Sequence, residues 1–322
     1  MFKNLSLFRI GAAWSVSSSQ VEDLLQKDVF LPCGASQPQS AGWVPPRGEA
    51  HGPLLEVVDG QWVLRLKVER KLLPGSVVRE RADEIAEGIE HSTGRKPGRK
   101  QMKELREQAA QELLPQAFAR ASTLWVWIDP ARHLLAIDTS SAARAEEVIT
   151  LLVKALPGFE VRQIHTAQSP QALMSDWLVS DEPAAGFTVD RECELKSADE
   201  MKSVVRYARH PLDTDEVRAH IQSGKQPTRL ALTWAERVSF VLTEGLQLKR
   251  LDFLDGVYEG RPSVGADEAF DADVAIATGE LRRLIPDLIE ALGGEQEPDV
   301  TAAAAPAPVL DTTPAEADAA PW

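Results

Sequence analysis

The stretch LLEVVDGQWVLRLKVE, Leu54 to Glu69, sets the architecture. Asp59-Gly60 is a turn dipeptide that reverses the chain in two residues and matches the twist of antiparallel strands. Leu54–Val58 and Gln61–Glu69 therefore read as a hairpin. In its second strand Trp62, Leu64, Leu66 and Val68 face one way, Arg65 and Lys67 the other.

Downstream, the pattern from Val77 to about Ile89 is helical and highly charged, and it breaks at Gly94. A second helix runs from about Arg99 to Leu114. The linker HSTGRKPGRK makes the pair a helical hairpin projecting from the sheet. Strands follow at Thr123–Asp129 and His133–Asp138, then a helix from Ser141, read as its cap, to Leu156, then a strand at Phe159–Ile164. A helix near Ala172–Val179 and one at Thr214–Gln222 accompany strands Gly186–Glu194, Val204–Tyr207, Thr228–Trp234, Arg237–Leu242 and Leu248–Leu254. Trp125, Trp127 and Trp234 read as core. In Asp267–Leu292, Ala275, Leu281, Leu284, Leu288 and Leu292 recur at helical spacing, with Pro286 expected to kink or divide the helix.

Upstream, Asn4–Ile10 reads as a strand and Ser19–Gln26 as a short Ser-capped helix. The run GWVPPRG, Gly42 to Gly48, reads as a turn or extended loop because two prolines oppose regular pairing. Lys3 and Arg9 interrupt the apolar positions at the N-terminus, so it reads as a strand, not a signal peptide, and the protein as cytoplasmic. No stretch approaches the roughly 18 apolar residues of a membrane span.

The fold class is α+β, with largely antiparallel sheets, packed helices and the projecting helical hairpin. Residues 1–74 and 119–265 form a central body of two subdomains, 75–118 a helical finger, and 266–294 a C-terminal helical segment. Residues 295–322 read as a disordered acidic Ala/Pro tail. Such a tail competes weakly with DNA or acts as a passive solubilising extension. The second is the favoured expectation.

The 322 residues are 43% hydrophobic and 26% charged, with a net charge of −14 from 35 basic and 49 acidic side chains. An acidic total argues against nucleic-acid binding, but the charge is uneven. Glu295–Trp322 holds six acids and no base, while Arg95–Arg106 holds six bases and one acid. A polyanion responds to the local field.

Catalytic motifs are lacking: there is no G-x-S-x-G, H-E-x-x-H or G-x-G-x-x-G. Gly224-Lys225 resembles the end of a P-loop, but Ala219 stands where Gly is needed and Gln226 where Ser or Thr is needed. The six histidines form no pair at helical or strand spacing, and Cys33 and Cys193 read as two buried reduced thiols. No metal, cofactor or catalytic residue is expected. The acid pairs Asp129/Asp138 and Asp271/Asp273 keep a metal-dependent nuclease as an alternative, although turns and helix starts explain such residues structurally.

The positive signal is basic. Arg95 and Lys96 lie in an extended loop, followed by Arg99, Lys100, Lys103 and Arg106 on a helix, with Met102, Leu105, Ala109 and Leu113 as its apolar stripe. A second set comprises Lys202, Arg206, Arg209, Lys225, Arg229, Lys249 and Arg250, with His210 beside them. Neither set has the aromatic interleaving of a single-strand platform, so both suit sequence-independent contact with a duplex backbone.

Finally, FKNLSLFRI, PCG then GWVPP, KLLP, ELLPQAFAR, the WID strand, ELKS, HIQSGK, LALTW, LKRLDF and FDADVAIATGELRRLIPDLIEALGGE occur in one chain. Together they resemble the recombination-associated protein RdgC family over residues 1 to about 294. That resemblance implies a ring-shaped homodimer enclosing double-stranded DNA without sequence preference, nucleoid association, and restraint of RecA-driven strand exchange. It leaves single-stranded DNA open as a second ligand and a protein-only recombination scaffold as another reading. It also implies DNA contact by Arg95, Lys96, Arg99, Arg209, His210 and Lys225. By context alone Phe118 reads as a core aromatic; the resemblance makes it a dimer contact. Two positions depart from the family pattern: Gln116 where it can carry Arg, and His210 where it can carry Gln.

Overall fold

The computed structural model describes residues 1–259 and 265–296. In chain order these form β1 (Asn4–Ile10), α1 (Ser18–Leu25), β2 (Gln39–Val44), β3 (Leu55–Val58), β4 (Gln61–Lys71), α2 (Gly75–Thr93), α3 (Arg99–Leu113), β5 (Ala119–Asp129), β6 (Leu134–Ile137) and α4 (Ala142–Ala155). There follow β7 (Val161–Gln163), α5 (Pro170–Ser180), β8 (Phe187–Ser197), β9 (Val204–Ala208), α6 (Asp215–Gln222), β10 (Lys225–Trp234), β11 (Val238–Thr243), β12 (Leu248–Phe253) and α7 (Ala266–Ala291).

The opening hairpin is present. Val58 pairs with Gln61, and Asp59 and Gly60 both take positive φ, 49° and 75°, as a tight hairpin turn requires. The strands pair antiparallel in one path, β2-β4-β5-β6-β1-β12-β11-β10-β8-β9, with β3 beside β4 and β7 beside β1. β1 joins the two halves: Asn4 and Leu5 pair with Lys249 and Leu248 of β12, whereas Ser6–Arg9 pair with β6. The fold is therefore α+β on a large antiparallel sheet.

Each half has its own core, and β5 and β6 are buried on both faces, with Trp127, Leu134 and Ala136 turned to the second core. In the first, Trp62, Leu64, Leu66 and Val68 pack with Val21 and Leu25 of α1 and Val148 and Leu152 of α4. In the second, Leu230, Leu232 and Trp234 pack with Met174 and Trp177 of α5, Val217 of α6, and Leu281, Leu284 and Leu288 of α7. Each fully buried leucine contributes about 1.5–3 kcal/mol.

Several details differ from the sequence reading. Gly42–Val44 do pair, with Lys67–Arg65, because the prolines begin only at Pro45 and remove no ladder N–H. Gly42 is required there: a Cβ would lie 2.5 Å from the backbone of Phe30, whose N–H donates to the Trp43 carbonyl beside a parallel Val29–Trp43 bridge. α1 starts one residue earlier, at a capping box between Ser17 and Gln20. Ser141 occupies the cap position of α4 without a side-chain hydrogen bond. Trp127 and Trp234 are buried, but Trp125 is only partly so, lying against Phe270 with Arg65 over its ring. Cys193 is buried, and burial pushes its thiol up to about 12; Cys33 is half-buried.

Pro286 does not divide α7. Proline deprives the carbonyl four residues earlier of its partner; that carbonyl, on Arg282, instead accepts from Arg132 Nη1. The boundary expected at residue 295 also moves. Glu295 bridges to Thr166, and the Gln296 N–H donates to the His165 carbonyl at 2.8 Å. The expectation of a disordered tail otherwise falls on 297–322, outside the described residues.

Candidate nucleic-acid interface

The first basic set sits where α2 gives way to α3. Gly94 ends α2 in the left-handed region at φ 66°, its N–H donating to the Glu90 carbonyl at 2.8 Å. Four residues later Gly98 occupies the cap position of α3. The two helices pack through Ala82, Ala86, Leu105 and Ala109, and the small alanines let the axes approach closely. Arg81 near the start of α2 reaches Glu112 near the end of α3, at 3.1 Å. Lys71 Nζ secures the base by donating to the carbonyls of Ala35 (2.8 Å) and Leu114 (2.9 Å).

With the apolar stripe turned inward, Arg95, Lys96, Arg99, Lys100, Lys103 and Arg106 are all exposed. Among the described residues Arg95, Lys96, Arg99 and Lys100 have no ion-pair partner, and Lys103 has only Glu107 at 3.9 Å. The first turn of α3 carries no acid, so its free N–H groups add to the positive field. Phe118, at the base of the pair, is 85% exposed and is not a core residue.

The second set is built differently. Register places Glu194 of β8 between Arg206 of β9 and Arg229 of β10. Arg206 Nε lies 2.6 Å from that carboxylate and Arg229 Nε 3.9 Å, while the Thr228 hydroxyl donates to it at 2.8 Å. Chiefly through the Arg206 hydrogen bond, the Glu194 carboxyl is held below the usual carboxylate range. Arg250 is likewise tied to Glu192 at 2.5 Å. Arg209 and Lys202 are exposed, with positive φ of 57° and 45° and no ion-pair partner among the described residues.

Nearby, the His210 ring lies 5.4 Å from that of Tyr207, and Lys225 Nζ lies 3.3 Å from His220 Nδ1. The Tyr207 hydroxyl donates to Glu216 at 3.0 Å; burial, then this bond, pushes the phenol up to about 12. Arg229 and Lys249 also line a cleft of about 920 Å3 between the two half-sheets, together with Arg162 and Lys196. Glu146, Glu194 and Glu244 line it too. Arg162 and Lys196 lie outside both basic sets of the sequence: Arg162 is an isolated base on a short strand, and Lys196 falls beyond the expected end of β8 at Glu194. None of the hydrogen bonds, ion pairs or apolar clusters among the described residues joins the second set to the first.

Of the acid pairs, Asp129, Asp138 and Asp271 are held by structural bonds. Asp129 is fully buried, caps the turn at Arg132 (3.2 Å) and pairs with Arg282 (2.8 Å). Asp138 accepts the N–H groups of Lys3 and Asn4 at 2.9 and 2.7 Å, and burial raises its pKa. Asp271 pairs with Arg47 at 2.5 Å. Among the described residues no group of three His, Cys, Asp or Glu side chains could hold a metal ion, and no helix is long and apolar enough to cross a membrane.

Fold and site together define an α+β protein on one long antiparallel sheet, with two exposed groups of cations on separate elements. The chain belongs to the RdgC family: the family model described as "Putative exonuclease, RdgC" matches residues 1–295. It is 49% identical over 299 residues to the recombination-associated protein RdgC of Dechloromonas aromatica, covering 91% of this chain and 98% of that one. The proteins of the same name from Herminiimonas arsenicoxydans and Cupriavidus necator are 47% and 48% identical; each match covers 92% of this chain and 98% and 99% of theirs.

Proposed function

We propose that the protein is a non-enzymatic, sequence-independent binder of double-stranded DNA that works in recombination as a homodimer enclosing the duplex. The observation that carries this reading is the group Arg95, Lys96, Arg99 and Lys100, exposed and without ion-pair partners where α2 meets α3. Unpaired guanidinium and ammonium groups bind phosphate without first breaking an internal ion pair, and Arg can do so through two parallel hydrogen bonds. Arg206, Arg209, His210, Lys225 and Arg229 form the second contact region, and Lys103 extends the first.

The family resemblance supports the rest. The helix pair projects from the body, Phe118 contributes to the dimer contact, the ring sits on nucleoid DNA in the cytoplasm, and its occupancy limits RecA-driven strand exchange. A ring makes a topological prediction: closed circular DNA is retained better than short linear DNA with free ends. Equal retention of both contradicts enclosure. The name of the matching family model favours exonuclease activity as a second reading. Incubating the protein with end-labelled duplex and Mg²⁺ or Mn²⁺ separates the two: intact label supports the binding protein, and shortened strands the nuclease.

A further inference from the structure

After α7 the chain is pinned to the body. The Ala167 N–H donates to the Gly294 carbonyl at 3.0 Å, and Gln296 continues the contact through His165. Between them the Glu295 carboxylate accepts Arg9 Nε at 2.8 and 3.0 Å, lies 2.6 Å from Arg9 Nη2, and is 3.7 Å from Arg162 Nη2. Two partly buried guanidinium groups thus already hold one carboxylate of this segment. Arg162 is shared: it lines the cleft that also holds Lys196, Arg229 and Lys249 beside Glu146, Glu194 and Glu244, as do the neighbouring Gln163 and Ile164. Glu295 thus stands next to that cleft through Arg162, at 3.7 Å.

The sequence that follows, 297–322, carries Glu297, Asp299, Asp311, Glu316 and Asp318 and no base. The match to the family model ends at residue 295, just before it. We propose that this acidic segment docks in the cleft lined by Arg162, Lys196, Arg229 and Lys249 as an intramolecular competitor of DNA, with Glu295 as its anchor. The inference rests on the DNA-binding reading and adds regulation to it. Each exposed carboxylate–cation contact is weak and screened by salt. Tethering compensates, because covalent attachment beyond Gln296 turns docking into an intramolecular event, at an effective concentration in about the millimolar range. Duplex must displace it from the cations it uses.

The test uses the full chain. A variant with Glu297→Gln, Asp299→Asn, Asp311→Asn, Glu316→Gln and Asp318→Asn is expected to bind duplex about 3- to 10-fold more tightly at low salt. The advantage should close as salt rises. Zero-length carbodiimide cross-linking gives a readout without DNA: the tail carboxylates should join Lys196 and Lys249, and added duplex should suppress those products. Unchanged affinity in a wild type that does bind, or products spread over lysines elsewhere such as Lys27 and Lys154, overturns the inference and leaves the proposed function standing. Products at Lys196 and Lys249 in a protein that shifts no duplex at low salt overturn the proposed function and the competition, while docking itself remains.

Discussion

The α2–α3 junction and the face of β8–β10 each present a handful of cations to solvent, yet they differ in what those cations are doing. Arg95, Lys96, Arg99 and Lys100 have no ion-pair partner among the described residues. Arg206 and Arg229 share the carboxylate of Glu194, and Arg250 is held by Glu192. Counting bases measures neither availability nor field; pairing decides both. The first region is open to phosphate at once, whereas in the second Arg206, Arg229 and Arg250 must exchange an internal anion for an external one.

The regions also differ in their support, and this gives the largest expected effect. The helix pair has its own small core, with Leu105 beside Ala82, Ala86 and Ala109. Leu105→Ala should cost about 2–5 kcal/mol, spent locally, so that hydrogen exchange in 75–113 accelerates while the sheet stays protected. Uniform acceleration across the sheet would dissolve the distinction. Next, Arg95→Ala, Lys96→Ala and Arg99→Ala together should lower the slope of log affinity against log salt by roughly 3, equally on unrelated duplexes. A loss confined to one sequence would reveal base readout.

Glu194→Gln sharpens the contrast from the other side. Freeing Arg206 and Arg229 should strengthen duplex binding a few-fold at low salt, as about one net charge is gained. The stability cost is less than about 1 kcal/mol, since both arginines are more than half exposed. Because the folded carboxyl is held below its ordinary value of 4.5, its contribution is fully present above that pH. It is lost as pH falls through the lowered value. Urea titrations of wild type and variant should therefore differ at pH 7 and converge as the pH falls below 4.5. The smallest effect on folding belongs to Phe118→Ala, within about 0.5 kcal/mol for a side chain so exposed. Sedimentation should nevertheless show a weaker dimer; an unchanged dimer removes Phe118 from that contact.

Local chemistry made much of the fold legible. Asp59-Gly60 fixed the hairpin, and Gly94 and Gly98 marked the helix boundaries. The leucines of α7 carried their period through the end of the chain's described helix. What depended on distant partners was hidden. Pro286 sits in a continuous helix because Arg132, from another turn of chain, takes up the Arg282 carbonyl. Gly42 makes room for the Val29–Phe30 backbone that docks on β2, which no local pattern announces. The basic residues of the second set were visible as residue types, but Glu194 comes between Arg206 and Arg229 only through the register of three strands. Arg162 enters the cleft only when β7 docks on β1.

A salt-series titration on two unrelated duplexes reaches the main point most directly. Contact with about 6–10 phosphates predicts that affinity for both falls by roughly 10³–10⁵ between 50 and 200 mM salt. A nearly flat dependence, or a strong preference for one sequence, contradicts a grip on the sugar–phosphate backbone by dispersed cations.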